Sequence, residues 1–208
     1  MEGAACSLVV LTGGPGAGKT AVLEVLRRNF GEQVEILPES ASILFRGGFP
    51  RMNDEAHRKA AQRAIYYVQR ELERVATEGG PHPVALCDRG TIDGLAYWPG
   101  DPAGFWQDLG TTFEAELARY HAVIHLRTPP AKTYNHKNPI RTESAAEAAA
   151  IDERILAVWA PHPRRYVVES TTDFLDKIVR VLSIINAELP NQGQAYAMPG
   201  VEGPRRQR

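Results

Sequence analysis

Residues 13–20 read Gly-Gly-Pro-Gly-Ala-Gly-Lys-Thr and satisfy G-x-x-x-x-G-K-[ST] at every fixed position. The flanks fit as well. Ser7-Leu8-Val9-Val10-Leu11 before the loop suits a buried strand, and Ala21 to Arg28 after it forms helix readily. Strand, glycine-rich loop, helix is the setting in which this Walker A pattern binds phosphate. A bare glycine turn joining a strand to a helix is the competing reading, and the in-register Lys19-Thr20 pair argues against it.

The loop chemistry explains its residues. Gly14, Pro15, Gly16, Ala17 and Gly18 are expected to present consecutive backbone N–H groups as a nest for an anion. The helix that follows adds its positive end. Lys19 supplies a mobile cation for the β- and γ-phosphates of ATP or GTP, and Thr20 offers a hydroxyl to Mg²⁺.

The 208 residues fit one domain, or one with a small insertion. A formal net charge of −1 gives no overall pull toward nucleic acid or an anionic membrane. No leader pattern or bilayer-length apolar run occurs, so no membrane insertion is expected. Cys6 and Cys87 read as buried thiols in a reducing, cytoplasmic setting. No Cys/His spacing suggests zinc.

Further strands are expected at 34–37, 84–87, 122–126 and 166–169, alternating with helices. The helix at about 54–77 takes Asn53 as its N-cap and Ile65, Val68, Leu72 and Val75 as its core face. Residues 41–52 read as a mobile loop after a short helical turn, and 90–110 as a mixed segment. A helix is expected around 112–120. Ser144 and Glu147 form a capping box for another. The last covers about 173–188, with Phe174, Ile178, Val181, Leu182 and Ile185 in the core. The pattern predicts a three-layer α/β fold: a five-stranded parallel sheet with helices on both faces. It is read as one domain over 1–189 with a lid at about 130–143, and a loose tail over 190–208.

Ligands in such sheets bind beyond the carboxyl ends of the strands. That rule gathers residues 13–20, Glu39, Asp88-Arg89 and the loop after Leu126. Asp88 follows an apolar strand and is a second candidate Mg²⁺ ligand beside Thr20. Arg89 can clamp a substrate oxygen or the transferring phosphoryl group, or serve as a structural ion pair. Glu39 can accept a proton from an attacking hydroxyl or orient it. Arg141, with Lys137 second and Lys132 nearby, is the candidate lid cation, unless the loop is simply solvated. Asp93, Tyr97, Trp98 and Gln69 can line a substrate pocket; the aromatics can equally be packing, and Asp93 a helix cap.

Together these residues resemble the nucleoside and nucleotide kinase group of P-loop proteins. The likeness is closest to the "AAA-type ATPase-like" kinases that include the ribosylnicotinamide kinase domain. It rests on Cys87-Asp88-Arg89-Gly90-Thr91-Ile92-Asp93-Gly94-Leu95-Ala96-Tyr97, on Asn138-Pro139-Ile140-Arg141-Thr142-Glu143 and on Trp159-x-x-His162-Pro163. It implies the kinase-type sheet, Mg-ATP or Mg-GTP binding and phosphoryl transfer to a small acceptor. Asp-Arg also resembles thymidylate kinase, but Pro38-Glu39-Ser40 is not that enzyme's arginine-bearing loop. The acceptor stays open between nucleoside-like and nucleotide-like molecules, and a homo-oligomer stays open too.

Three readings follow: a small-molecule kinase, a nucleotide-binding regulator with a protein or lipid partner, and an AAA+ motor. A Ras-like switch needs N-K-x-D and D-x-x-G, which Asn135-His136-Lys137-Asn138 and Asp88-Arg89-Gly90-Thr91 do not supply. A motor needs a helical second domain, and the chain after the fifth strand is too short for one.

Overall fold

The computed structural model describes residues 6–31, 33–130, 144–170 and 173–189. Five strands, β1 Ser7–Thr12, β2 Val34–Leu37, β3 Val84–Asp88, β4 Tyr120–Leu126 and β5 Arg165–Val168, form one sheet in the order β2-β3-β1-β4-β5. All pairs are parallel, and Leu11 of β1 lies opposite Asp88 of β3. The helices are α1 Lys19–Phe30, α2 Ser40–Arg46, α3 Glu55–Gly79, α4 Pro102–Leu109, α5 Phe113–Leu117, α6 Ala145–Val158 and α7 Phe174–Glu188, with a 3-10 helix at Thr91–Ala96. Among the described residues, no helix is long and apolar enough to cross a membrane.

Alternation along β1 sorts two cores. Val9 and Leu11 face Val22, Leu26, Val181 and Ile185 of α1 and α7. Leu8 and Val10 face Ala76, Ile151, Ile155 and Trp159 on the other side. Residues buried on both faces are what a parallel sheet covered by helices requires. Leu26, 1% exposed, gains about 1.5–3 kcal/mol from its burial.

The structure shifts several sequence expectations. Asp54, not Asn53, caps α3, accepting from the His57 backbone N–H. The buried stripe of α3 is Ala61, Tyr66, Gln69, Glu73 and Ala76, rotated one residue from the expected Ile65-Val68-Leu72-Val75 face. Val75 is 67% exposed, and Val68 and Leu72 line a shallow apolar groove against Ile36 and Leu37. Gln69 and Glu73 tolerate burial because hydrogen bonds meet them inside, a gain hydropathy does not register. Residues 40–46 form a full helix rather than one turn. The segment after β3 contains both the 3-10 helix and α4. Residues 113–117 alone form α5, and Tyr120 already belongs to β4. Phe174 is 39% exposed at the start of α7 rather than in the core. The Ser144–Glu147 capping box forms as expected.

Candidate active site

The loop between β1 and α1 bends around glycines. Gly18 caps α1 with φ 93°, and a Cβ there would sit 2.5 Å from the Phe174 ring. No side chain caps α1, so its first N–H groups point into the loop without a protein carboxylate or hydroxyl. Lys19 begins the helix and folds back, its Nζ donating to the carbonyls of Gly13 at 3.0 Å and Gly14 at 3.4 Å. Burial, helped by the Arg89 charge, lowers its pKa to about 8. Thr20 is exposed in the first turn of the helix.

Three elements outside the loop hold it. The Gly14 N–H donates to Asp152 of α6 at 2.9 Å. His125, wholly buried at the end of β4, donates to the same oxygen at 2.9 Å, and Arg127 pairs with Asp152 at 3.1 Å. Lys177 of α7 donates to the carbonyls of Ala17 and Arg127. None of these positions carried a motif in the sequence. Their roles follow from the sheet order, which sets β4 and α6 beside β1.

Asp88 ends β3 next to the loop. One of its oxygens, Oδ1, is buried without a hydrogen-bond partner. Burial pushes its pKa up to about 6, with Glu39 adding to the rise and Lys19 opposing it. An orphaned carboxylate oxygen beside a hydroxyl-bearing first turn is a fitting donor set for a hard cation that draws its other ligands from phosphate and water. Among the described residues, no group of three or more His, Cys, Asp or Glu side chains could hold a metal by itself.

Arg89 takes the left-handed conformation with φ 75°, the only described non-glycine residue to do so. Such a backbone costs about 1–2 kcal/mol and persists where the surroundings over-determine it. Its N–H is held by Leu11 O at 3.1 Å. Its Nε donates to Glu39 at 2.8 Å, its Nη1 to Asp93 Oδ2 at 3.2 Å, and its guanidinium lies 5.7 Å over the Tyr97 ring. Burial raises the Glu39 pKa, but Arg89, the Ser42 hydroxyl and Lys19 together outweigh it and bring it to about 2.

Asp93 is the residue whose role the sequence left least visible. It is 3% exposed and accepts from Thr12 Oγ1 at 2.6 Å, from Arg89, and from Trp159 Nε1 at 2.5 Å. It is neither a helix cap nor an open pocket wall alone; it ties the end of β1, the arginine and α6 together. The i, i+4 spacing of Arg89 and Asp93 was the available signal. The Trp159-x-x-His162-Pro163 motif is likewise a brace. Trp159 holds Asp93, while His162 donates from Nε2 to Tyr120 O and accepts the Arg164 N–H at Nδ1.

Glu39, Arg89 and Asp93 stand at one end of a cavity of about 590 Å³ bounded by α2, α3 and the 3-10 helix. Pro15 of the loop, Gln69 and Tyr97 also line it. Trp98 does not; it packs edge-on against Phe105. Arg141, Lys132, Lys137 and the expected lid segment beyond Pro130 lie outside the described residues.

Sheet order 2-3-1-4-5, a glycine loop after the central strand and a carboxylate after its neighbour define a three-layer α/β P-loop kinase fold. The chain belongs to the AAA domain family, whose model matches residues 8–177. Deoxyadenosine kinase from M. mycoides, solved with dCMP and dCDP, shares the fold at TM-score 0.63 and 14% identity, over 86% of this chain and 99% of that one. Thymidylate kinase from Candida albicans gives 0.60 and 12%, over 88% and 92%. NadR in complex with NR gives 0.65 and 15%, over 90% of this chain and 54% of that one. By sequence, no curated protein matches the chain.

Proposed function

We propose that the chain is a Mg²⁺-dependent phosphotransferase that binds ATP or GTP at residues 14–20 and passes the γ-phosphoryl group to a small acceptor in the 590 Å³ cavity. One observation carries this reading. The Glu39–Arg89–Asp93 cluster, half-buried at Glu39 and Arg89 and buried at Asp93, faces both the glycine loop and that cavity, where donor and acceptor would meet. The domain would run over 1–189 with a lid at about 130–143, in a reducing, cytoplasmic compartment that suits free Cys6 and Cys87.

Thr20 and Asp88 would hold Mg²⁺, which when bound supplies charge neutralisation at the β- and γ-phosphates. Lys19, already close to the loop carbonyls, would exchange them for phosphate oxygens. Arg89 is fixed by two carboxylates and offers its remaining N–H groups to the transferring group or the acceptor oxygen. Arg141 would add charge from the lid.

Glu39 is ionised at neutral pH, yet with a pKa of about 2 it is a weak base. A loose phosphoryl-transfer transition state demands little proton abstraction, so Glu39 serves by orienting the acceptor hydroxyl.

The cavity wall also carries Arg46 and Arg58, neither in an ion pair among the described residues, and Arg51. Those arginines favour an acceptor bearing negative charge, such as a nucleotide, over a neutral nucleoside. The test is a mass-resolved panel of nucleosides, nucleotides and other phosphorylatable metabolites with Mg-ATP and Mg-GTP. Acceptor-dependent product formation supports the kinase. Nucleotide binding with slow hydrolysis alone refutes transfer and leaves a regulatory NTPase.

A further inference from the structure

From the cavity floor inward runs a buried chain of polar contacts that joins the two halves of the Glu39–Arg89 pair. Ser40, first residue of α2 and next to Glu39, donates its hydroxyl to Gln69 Oε1 at 2.7 Å. Gln69 Nε2 donates to Glu73 Oε1 at 2.8 Å. Tyr120 donates to the same oxygen at 2.9 Å and accepts the Thr91 N–H at 2.8 Å. Thr91 follows Arg89 by two residues. Glu73 is held in place by Arg119, which also pairs with Glu116 at 2.7 Å, and Glu116 accepts from Thr91 Oγ1 at 2.8 Å.

Ser40, Gln69, Glu73, Thr91 and Glu116 are each 3% exposed or less. Burying so much polar surface is costly unless every group is paired. An apolar floor of the same shape would hold α3 against the sheet as well, and often more stably. The polar version adds direction: its bonds run from the start of α2 to the start of the 3-10 helix, and its carboxylates are closed off on the outer side by Arg119 and Arg70.

We propose that Gln69 and Glu73 are positioning residues, which anchor the Glu39 and Arg89 segments to one buried carboxylate and so hold that pair in register for the acceptor. The assignment rests on the phosphotransferase reading, but its physical core does not. The sheet fixes one backbone only as far as Leu37 and the other only as far as the Arg89 N–H, which reaches Leu11 O. Beyond those strand ends, Glu39 and Arg89 sit on separate elements, joined by their own ion pair and by this chain. Loosening the chain lets α2 drift, and a displacement near 1 Å can cost about 100-fold in rate.

The experiment compares wild type, Ser40→Ala, Gln69→Leu and the double variant. The readout is hydrogen exchange of the Arg89 side-chain Nε–H, followed by ¹⁵N NMR. Leu26→Ala, a core variant away from the site, controls for general destabilisation. Exchange should speed by about 10-fold or more in Ser40→Ala and Gln69→Leu, and no further in the double variant, because both cut the same link. It should stay unchanged in Leu26→Ala. Calorimetry with Mg-ATP should give Kd values within about two-fold of wild type, since the glycine loop is held by α6 and α7 instead. With the panel's acceptor, kcat should fall about 10–100-fold, by more than its KM rises.

If Gln69→Leu does not fold, Ser40→Ala decides alone. Unchanged Arg89 exchange in a folded variant, or acceleration equal to that of Leu26→Ala, overturns the positioning role. Failure of the kinase reading appears elsewhere, as absent acceptor turnover in wild type, and leaves the exchange result intact.

Discussion

Asp93 offers the sharpest test of the site's construction. Its Oδ2 receives the Thr12 hydroxyl and an Arg89 N–H, and its Oδ1 receives the Trp159 N–H. An asparagine has one oxygen and one NH₂ in place of two acceptor oxygens. The less costly orientation keeps the oxygen toward Thr12 and Arg89 and turns the NH₂ onto the Trp159 N–H, donor against donor. Losing the charge opposite Arg89 and leaving a buried donor unsatisfied should cost about 2–4 kcal/mol. For a chain of this size, that lowers Tm by roughly 4–16 °C. Trp159→Phe alone strips one bond from Asp93 Oδ1 and should cost about 1–3 kcal/mol. Combined, the two changes relieve each other: with phenylalanine at 159 the NH₂ no longer meets a donor. Urea denaturation of the four proteins should therefore give a double variant about 1 kcal/mol or more better than the sum of the singles. Additivity within about 0.4 kcal/mol would refute the bonding pattern assigned to Asp93.

Asp88→Asn should stabilise the nucleotide-free protein at pH 7.5. A carboxyl whose pKa rises from 3.8 to about 6 on folding contributes stability below that window and loses it as pH climbs through it. The gain, about 1–3 kcal/mol by urea denaturation, should vanish near pH 3.5, and Mg-dependent ATP affinity should drop. Glu39 has the opposite sign: its pKa falls from 4.5 to about 2, so its contribution is complete above 4.5 and lost toward 2. Glu39→Gln should flatten stability over that range, leave ATP binding by calorimetry near normal and cut transfer; unchanged turnover dismisses Glu39 from the reaction. Lys19→Ala should abolish nucleotide binding while circular dichroism stays native.

The glycine loop, its flanking strand and helix, and the carboxylates after the second and third strands were all legible along the chain. Each is a local pattern: a bend needing glycine, an apolar run needing burial, a charged residue where a strand stops. The sheet order was implied only as a class. Misreadings fell where burial and hydropathy part company. On α3 the apolar stripe faces the cavity and an exposed groove, while Gln69 and Glu73 face inward among partners more than 25 residues away. The His125–Asp152–Gly14 tie and the Lys177 tie had no signature, because each joins three separate segments by single bonds.

By itself the sequence determined that this chain builds a glycine-rich loop at the carboxyl end of a strand in a parallel sheet, since that needs only glycines and two regular elements in succession. Tertiary structure decided what stands across from that loop. It set Arg89 between Glu39 and Asp93, left an Asp88 oxygen without a partner, and placed a polar floor under the cavity. Those features depend on which distant groups meet once strands pair and helices cover them, and a hydrogen bond across 50 residues leaves no periodicity to read.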